Sequence, residues 1–437
     1  MQTQFTSEQL ATPKIATAND IFRACVHCGF CIATCPTYVT LGDERDSPRG
    51  RIYLIKTMLE QQSEPEPAVV THVDRCLSCL SCMTTCPSGV HYMHLVDLAR
   101  SHIEETHTRP LTERLLRRLL SWVLPVPGRF RLALRGAALV RPMAARLPGR
   151  LGAMVAMAPR RLPRRGAMDR QRSFAAHGQR RRRVALLAGC AQRVLNPAIN
   201  EATIRLLTRL GCDVEVAAGS GCCGALTHHL GREADAVAAV KANILAWEQA
   251  ERDDGLDAIV INASGCGTMV KDYGHMLKDD PEWAARGAAI SAKAVDVSEL
   301  LADIGLVGTA PEPLTVAYHS ACSLQHGQRI TELPARLLRD AGFAVKAVPE
   351  GHLCCGSAGT YNLMQPALAA KLLDRKIANI ESVGADVVAL GNIGCQVQIA
   401  GATTLPVLHT AELLDWATGG PKPAGLEAAP AAPSRRI

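Results

Sequence analysis

Cys25-Val-His-Cys28-Gly-Phe-Cys31-Ile-Ala-Thr-Cys35-Pro36 is matched further along by Cys76-Leu-Ser-Cys79-Leu-Ser-Cys82-Met-Thr-Thr-Cys86-Pro87. Each run spaces its cysteines as C-x2-C-x2-C-x3-C-P, the ligand spacing of a chain that holds two 4Fe-4S clusters. In such a tandem the fourth cysteine of each run serves the other cluster. That assigns Cys25, Cys28, Cys31 and Cys86 to one cluster and Cys76, Cys79, Cys82 and Cys35 to the other. Zinc ribbons are the alternative, since Cys-x-x-Cys pairs also suit tetrahedral zinc. Zinc gives no reason for a third cysteine at the same step or for a closing Cys-Pro in both runs.

The rest of the chain bounds the reading. With 437 residues and 48% hydrophobic composition it can form two or three domains with separate cores. The ligand spacing and the length argue against a disulfide-stapled secreted scaffold and for a reducing compartment. Residues 1–20 contain no continuous apolar stretch of the kind a secretory signal needs, and no run of about 18 apolar residues suggests a transmembrane helix. Aromatics make up only 4%, which argues against a stacking platform for single-stranded nucleic acid.

The net charge of +7 is unevenly placed. Residues 109–183 contain twenty arginines and no lysine against Glu113 and Asp169, a local +18 that leaves −11 elsewhere. Pro125, Pro127, Pro142, Pro148, Pro159 and Pro163 divide this Arg-rich connector into short helices. Over residues 111–124, Leu115, Leu116, Leu119, Leu120 and Val123 share one face and Arg114, Arg117 and Arg118 lie mostly off it. Such a segment suits an anionic membrane surface, an acidic partner, or simple packing on its own protein. The run Arg180-Arg181-Arg182-Arg183 leads straight into an apolar strand, so no nucleic-acid partner is expected.

Beyond residue 184 the chain repeats itself. Cys190 precedes Cys222-Cys223-Gly224 by 32 positions, and Cys322 precedes Cys354-Cys355-Gly356 by the same 32; Cys266 and Cys395 follow the two pairs. Apolar residues 184–188 and 314–318 lead into the first cysteine of each copy, and residues 259–262 and 387–390 into the last. Residues 294–301 match 405–414, and helical stretches such as 234–251 and 367–383 fall between. Apolar runs alternating with helices imply a parallel sheet with helices on both faces in each copy. The cysteines then gather at the carboxyl edge, where open α/β sheets bind ligands. Two copies related by a pseudo-twofold would turn their cysteine sets toward one cleft. Cys212 fits neither pattern and reads as a packed core residue.

With these motifs in hand, the chain resembles the family of glycolate oxidase (glycolate dehydrogenase) iron-sulfur subunits, within the wider family that carries duplicated cysteine-rich CCG domains. The resemblance runs from Cys25 to about Trp416. Its specific parts are the two cluster runs, Ser47-Pro-Arg-Gly-Arg-Ile-Tyr-Leu-Ile-Lys56, Cys86-Pro-Ser-Gly-Val-His-Tyr92, both Cys-Cys-Gly motifs and Gly394-Cys395-Gln396. It implies an α/β chain with a mainly α N-terminal part: a ferredoxin-type two-cluster domain at 18–108, the connector at 109–183, CCG domains at 184–308 and 309–417, and a disordered Ala/Pro tail at 418–437. It also implies an electron-relay subunit working with flavin-containing glycolate oxidase subunits that carry FAD, passing electrons toward a quinone or similar acceptor. The expected location is cytoplasmic, with peripheral attachment to the cytoplasmic face of the inner membrane. No Gly-x-Gly-x-x-Gly follows a strand, so this chain supplies no flavin site of that kind, and no catalytic residue is assigned to it.

One departure matters. Heterodisulfide reductase relatives end each copy in Cys-x-x-Cys, whereas here Ala263 and Asn392 stand three before Cys266 and Cys395. Four thiolates per copy, Cys190, Cys222, Cys223 and Cys266 or Cys322, Cys354, Cys355 and Cys395, suit a further cluster or zinc. Buried free thiols or a redox-active pair are the other reading. His27, inside the first run, is expected to face outward or pack; His228, His229, His319 and His326 lie near the CCG sites, where hydrogen-bonded structural roles are expected and completing a metal site or carrying protons to a quinone is the other reading. Alternative functions are the equivalent subunit for D-lactate or glycerol 3-phosphate, a heterodisulfide-reductase-like subunit, or a non-enzymatic scaffold with structural clusters.

Overall fold

Prolines open most of the N-terminal helices. In the computed structural model, which describes residues 1–62, 64–146, 149–159, 161–166 and 172–427, Pro13, Pro36, Pro48 and Pro67 each start a helix, where a missing N–H costs nothing. Helices Pro13–Ala24, Pro48–Gln61, Pro67–Asp74 and Tyr92–Thr106 enclose a core of Phe22, Ile55, Val73, Leu95, Val96 and Ile103, all fully buried. In Pro48–Gln61 the buried positions Ile52, Ile55, Met58 and Leu59 follow the helical period read from the sequence. Ser47 caps that helix by accepting the Gly50 N–H at 2.9 Å. The cluster runs lie in the loops between these helices.

Two α/β units follow. The first sheet contains β1 (Ser173–Phe174), β2 (Arg182–Leu186), β3 (Cys212–Glu215), β4 (Ala258–Ile261) and β5 (Ala294–Asp296), in the order β1-β3-β2-β4-β5. The second contains β6 (Thr315–Tyr318), β7 (Ala344–Ala347), β8 (Val387–Leu390) and β9 (Val407–His409), in the order β7-β6-β8-β9. Apart from β1, the first sheet has the topology of the second, and all pairings within these four-strand sets are parallel. The last strand of each copy enters a helix through a capping box, Asp296 with Glu299 and His409 with Glu412. A shared apolar core with Val184, Leu207, Val316, Leu338, Leu413 and Leu414 joins the two units.

Two boundaries and one helix face differ from the sequence reading. Ser173 and Phe174 belong to the first sheet, pairing antiparallel with Glu215 and Val214, because Phe174 gains a place against the sheet's core. The connector thus ends before 183, and that sheet is not wholly parallel. The tail is ordered at least to Glu427: Ala424–Glu427 is helical, Leu426 packs on the same core and Lys422 pairs with Glu312. Residues 428–437 lie outside the described residues. In the connector helix Leu111–Val123, Leu120 and Val123 are buried but Leu115 and Leu119 are about half exposed. Arg117 takes the inward position instead, bonded to Asp74 and Glu113. Removing either partner of such a buried pair costs about 3–5 kcal/mol, so the helix turns to keep it.

The arginines of residues 180–183 are spent on the sheet rim, Arg180 on Asp254 and Asp213, Arg182 on Asp303, Arg183 on Glu215. Among the described residues no helix is long and apolar enough to cross a membrane.

Candidate metal centres

Among the described residues no two cysteines are joined in a disulfide. Cys25, Cys28, Cys31 and Cys86 line one surface depression together with Cys82, and burial, reinforced by the Cys25 and Cys86 sulfurs, pushes the Cys31 thiol up to about 11. Burial, and after it the neighbouring Cys79, Cys76 and Cys35 sulfurs, holds the Cys82 thiol well above the ordinary value. Cys86 of the second run lies beside the cysteines of the first, and Cys35 of the first run beside those of the second. Thiols packed so tightly ionise only together with a cationic centre that offsets their repulsion.

The backbone fits the same purpose. His27 and Gly29 in the first loop, and Ser78 and Leu80 at the same offsets in the second, all have positive φ, between 50° and 86°. Three of these are non-glycine residues in a conformation that costs energy and persists where a ligand clamp needs it. The Ser78 N–H lies 3.5 Å from the Cys76 sulfur. The His27 carbonyl accepts from Arg49 at 3.2 Å, and its ring Nε2 is buried without a hydrogen-bond partner.

Around Cys35 the structure reveals a buried cation that the motif reading left without a role. Arg51, 1% exposed, donates to the Cys35 sulfur at 3.8 Å, to Thr37 Oγ1 at 3.0 Å, to Asp46 at 3.2 Å and to the His72 carbonyl at 2.6 Å. Tyr92 donates to the Cys76 sulfur at 3.8 Å. The signal was present in sequence, an arginine flanked by the apolar positions of an amphipathic helix. Asp43, Asp46 and His72 also cluster, but Arg51 and Arg75 already neutralise Asp46.

Each CCG unit gathers its four cysteines at the carboxyl edge of the sheet. In the first, Cys190 and Cys223 hydrogen-bond to Cys222, holding it well below its ordinary value, and Cys266 bonds to Cys223. In the second, Cys322 and Cys354 sulfurs are 3.7 Å apart, near the ~3.8 Å edge of a tetrahedron built on zinc–sulfur bonds of ~2.3 Å. The glycine of each Cys-Cys-Gly has positive φ and sits against a helix backbone: a Cβ on Gly224 would lie 3.1 Å from the Ala236 carbonyl, and one on Gly356 2.6 Å from that of Ala369.

The copies differ in one respect. His319, Cys355 and Cys395 place a ligand atom each within 4.8 Å of one another. His319 is 1% exposed and neither ring nitrogen has a hydrogen-bond partner, so it is not the hydrogen-bonded structural histidine expected. Burial and Lys376 hold it down to about 3, so the ring is neutral and one of its nitrogens is free to bind a metal. Lys376 is itself buried, which lowers its value, while the four sulfurs Cys355, Cys354, Cys322 and Cys395 favour its charged form. The first copy has Leu187 where the second has His319.

The remaining histidines tie the domains together. His228 and His229 reach Asp97 at 3.3 and 3.6 Å, and His326 contacts Thr84 at 2.7 Å. Cys212 is fully buried in β3 among core residues. Cys79 packs with Cys354 and Tyr361 beside Cys322, so the second N-terminal set abuts the second CCG set. Cys190, Cys223 and Cys266 face Cys322, Cys354 and Cys395 across one cavity of about 540 Å³.

Comparison with known proteins agrees with this geometry. Residues 24–90 match the 4Fe-4S dicluster domain family, and residues 184–271 and 316–400 each match the cysteine-rich domain family. The glycolate oxidase iron-sulfur subunit of Escherichia coli (strain K12) is 44% identical over 418 residues, covering 95% of this chain and 99% of that protein. The probable glycolate oxidase iron-sulfur subunit of Bacillus subtilis (strain 168) is 34% identical, covering 86% and 87%. Lactate utilization protein A of Bacillus velezensis is 30% identical and covers 53% of this chain.

Proposed function

The chain belongs to the family of glycolate oxidase iron-sulfur subunits, and on that premise we propose that it relays electrons from an FAD-carrying partner, which oxidises glycolate to glyoxylate, toward a quinone or similar acceptor. The observation that carries this reading is the adjacency of cysteine sets, from the surface depression of Cys25, Cys28, Cys31 and Cys86, through the Cys35, Cys76, Cys79 and Cys82 set, to Cys322 and Cys354. Bound 4Fe-4S clusters would supply one-electron transfer, which lets a two-electron flavin donor serve a separate acceptor.

The protein's own residues divide the remaining work. The four cysteines of each N-terminal set hold a cluster, and Arg51 and Tyr92 place positive charge and a donor against the second set. Val26 and Phe30, 67% and 64% exposed beside the first set, give the flavin partner an apolar landing at the entrance. Cys322, Cys354, Cys355 and Cys395, with His319 and Lys376, are the better provided of the two CCG sets for a further cluster or zinc. Peripheral attachment to the cytoplasmic face of a membrane suits the arginine-rich connector.

D-lactate is the second substrate to consider, but the lactate utilization relatives cover only about half of this chain. The test is to isolate the complex anaerobically and follow the reduced-cluster signal by electron paramagnetic resonance as substrates are added. Growth of the signal with glycolate, and not with D-lactate or glycerol 3-phosphate, is expected. Clusters silent to glycolate but reduced by another of these donors would overturn the substrate.

A further inference from the structure

The cavity between the two CCG cysteine sets has an apolar roof made by the connector. Val123, Ala133, Leu134, Ala137, Met154 and Val155 line it from three connector helices, Leu111–Val123, Pro127–Val140 and Gly149–Met157. Its volume of about 540 Å³ falls in the range of about 300–1,000 Å³ typical of small-molecule sites. Leu77 and Ser78, from the loop that carries Cys76 and Cys79, form part of the same wall.

Two further observations say what kind of molecule fits. First, a polar atom waits inside: Gln192 is 2% exposed and lines the cavity, and its Oε1 has no hydrogen-bond partner. A buried acceptor left unpaired costs about 1–3 kcal/mol, which a ligand hydroxyl would recover. Second, the cavity opens among apolar residues. Leu119, Val140, Leu151 and Met157 both line it and remain exposed. Eleven of the eighteen large hydrophobic side chains exposed among the described residues belong to the connector, Leu139 at 83% and Trp122 at 57% included. Exposed leucines interleaved with arginines are the composition of a segment that lies in an anionic lipid interface.

We propose that this cavity binds the head of a membrane quinone, which enters from the bilayer past the connector helices and is reduced there. The proposal rests on the electron-relay reading and locates its acceptor. The quinone accepts two electrons and two protons, its two carbonyl oxygens become hydroxyls, and it leaves as the quinol. The electrons are the two released when the hydroxy acid is oxidised. The protons come from solvent by way of His228, Asp97 and His229, the last of which lines the cavity. Gln192 Oε1 accepts the hydrogen bond that only the reduced, hydroxyl form can donate.

The test uses the intact complex with its flavin partner and decyl-ubiquinone as the probe. Ala137→Trp, which fills the roof, is expected to raise the KM for decyl-ubiquinone at least tenfold while glycolate still reduces the cluster signal in the same sample. A KM unchanged in that variant would overturn the site. Photolabelling of the wild-type complex with an azido-quinone keeps the question answerable if the variant does not fold. Label on peptides of residues 111–158 supports the cavity, and label confined to other parts of the complex overturns it. Failure of the relay reading looks different, since glycolate would then leave the clusters oxidised in the wild-type protein.

Discussion

Arg51 brings a full positive charge to a sulfur that faces a negatively charged centre, and its worth is therefore electrical as well as structural. Removing a donor or a charge beside a cluster favours the oxidised, less negative state. Tyr92→Phe is expected to lower the potential of the second centre by a few tens of millivolts, and Arg51→Met by about 60 mV, tenfold for a one-electron couple. Arg51→Met also removes one buried partner of Asp46, leaving Arg75 and His72 beside it, and is expected to cost about 1.5–3 kcal/mol of stability. A redox titration followed by electron paramagnetic resonance measures both shifts, and an unmoved midpoint in both variants would remove Arg51 and Tyr92 from any tuning role. His319 makes a separate claim. His319→Ala is expected to lower the metal bound per chain outside the N-terminal domain while leaving the two-cluster signal intact, as metal analysis of the purified protein would read. Equal metal content in the variant would return His319 to a packing role.

At the scale of elements, the Cys-Cys-Gly turn is the point where backbone geometry and ligand placement meet. Gly356→Ala forces both a positive φ and a Cβ against the Ala369 carbonyl, whereas Gly224→Ala meets a looser contact. Strain of this kind costs about 1–3 kcal/mol, and the loss in thermal midpoint is expected to be larger for Gly356→Ala. These elements were legible beforehand. The strands ending near Cys190, Cys266, Cys322 and Cys395 show as apolar runs because a sheet covered on both faces needs continuous hydrophobicity. What escaped the sequence were decisions made between distant parts. Arg117 turned inward because Asp74 waits there, Phe174 joined a sheet whose partner strand lies forty residues on, and residues 418–427 found a surface on the second unit. His319 and Lys376 escaped for a related reason: a ligand or counter-charge far along the chain carries no spacing signature.

At the scale of the molecule, the N-terminal domain is fastened to the first CCG unit through Asp97. Burial opposes a charged His228, but Asp97 prevails and raises it above its ordinary 6.5. Its contribution is whole below about pH 6.5 and fades as pH rises through the raised value. Asp97, held well below the usual carboxylate range against burial by His228 and His229, contributes above its ordinary value and fades only in strong acid. His229, lowered by burial, works in the opposite sense to His228. Denaturation of wild type and His228→Gln at several pH values is expected to show a gap on the order of 1 kcal/mol near pH 6 that narrows toward pH 9. A constant gap would mean that His228 carries no charge in the pair.

Cys28 is the exposed member of its set, while Cys76, Cys79 and Cys82 are all buried. Oxygen and peroxide therefore meet the entrance of the relay before its interior. Damage would begin where the partner docks and leave the rest of the chain folded, so an air-injured copy could still occupy its flavin partner while conducting nothing. Repair or replacement of one outlying centre then sets how long each assembled complex stays in service.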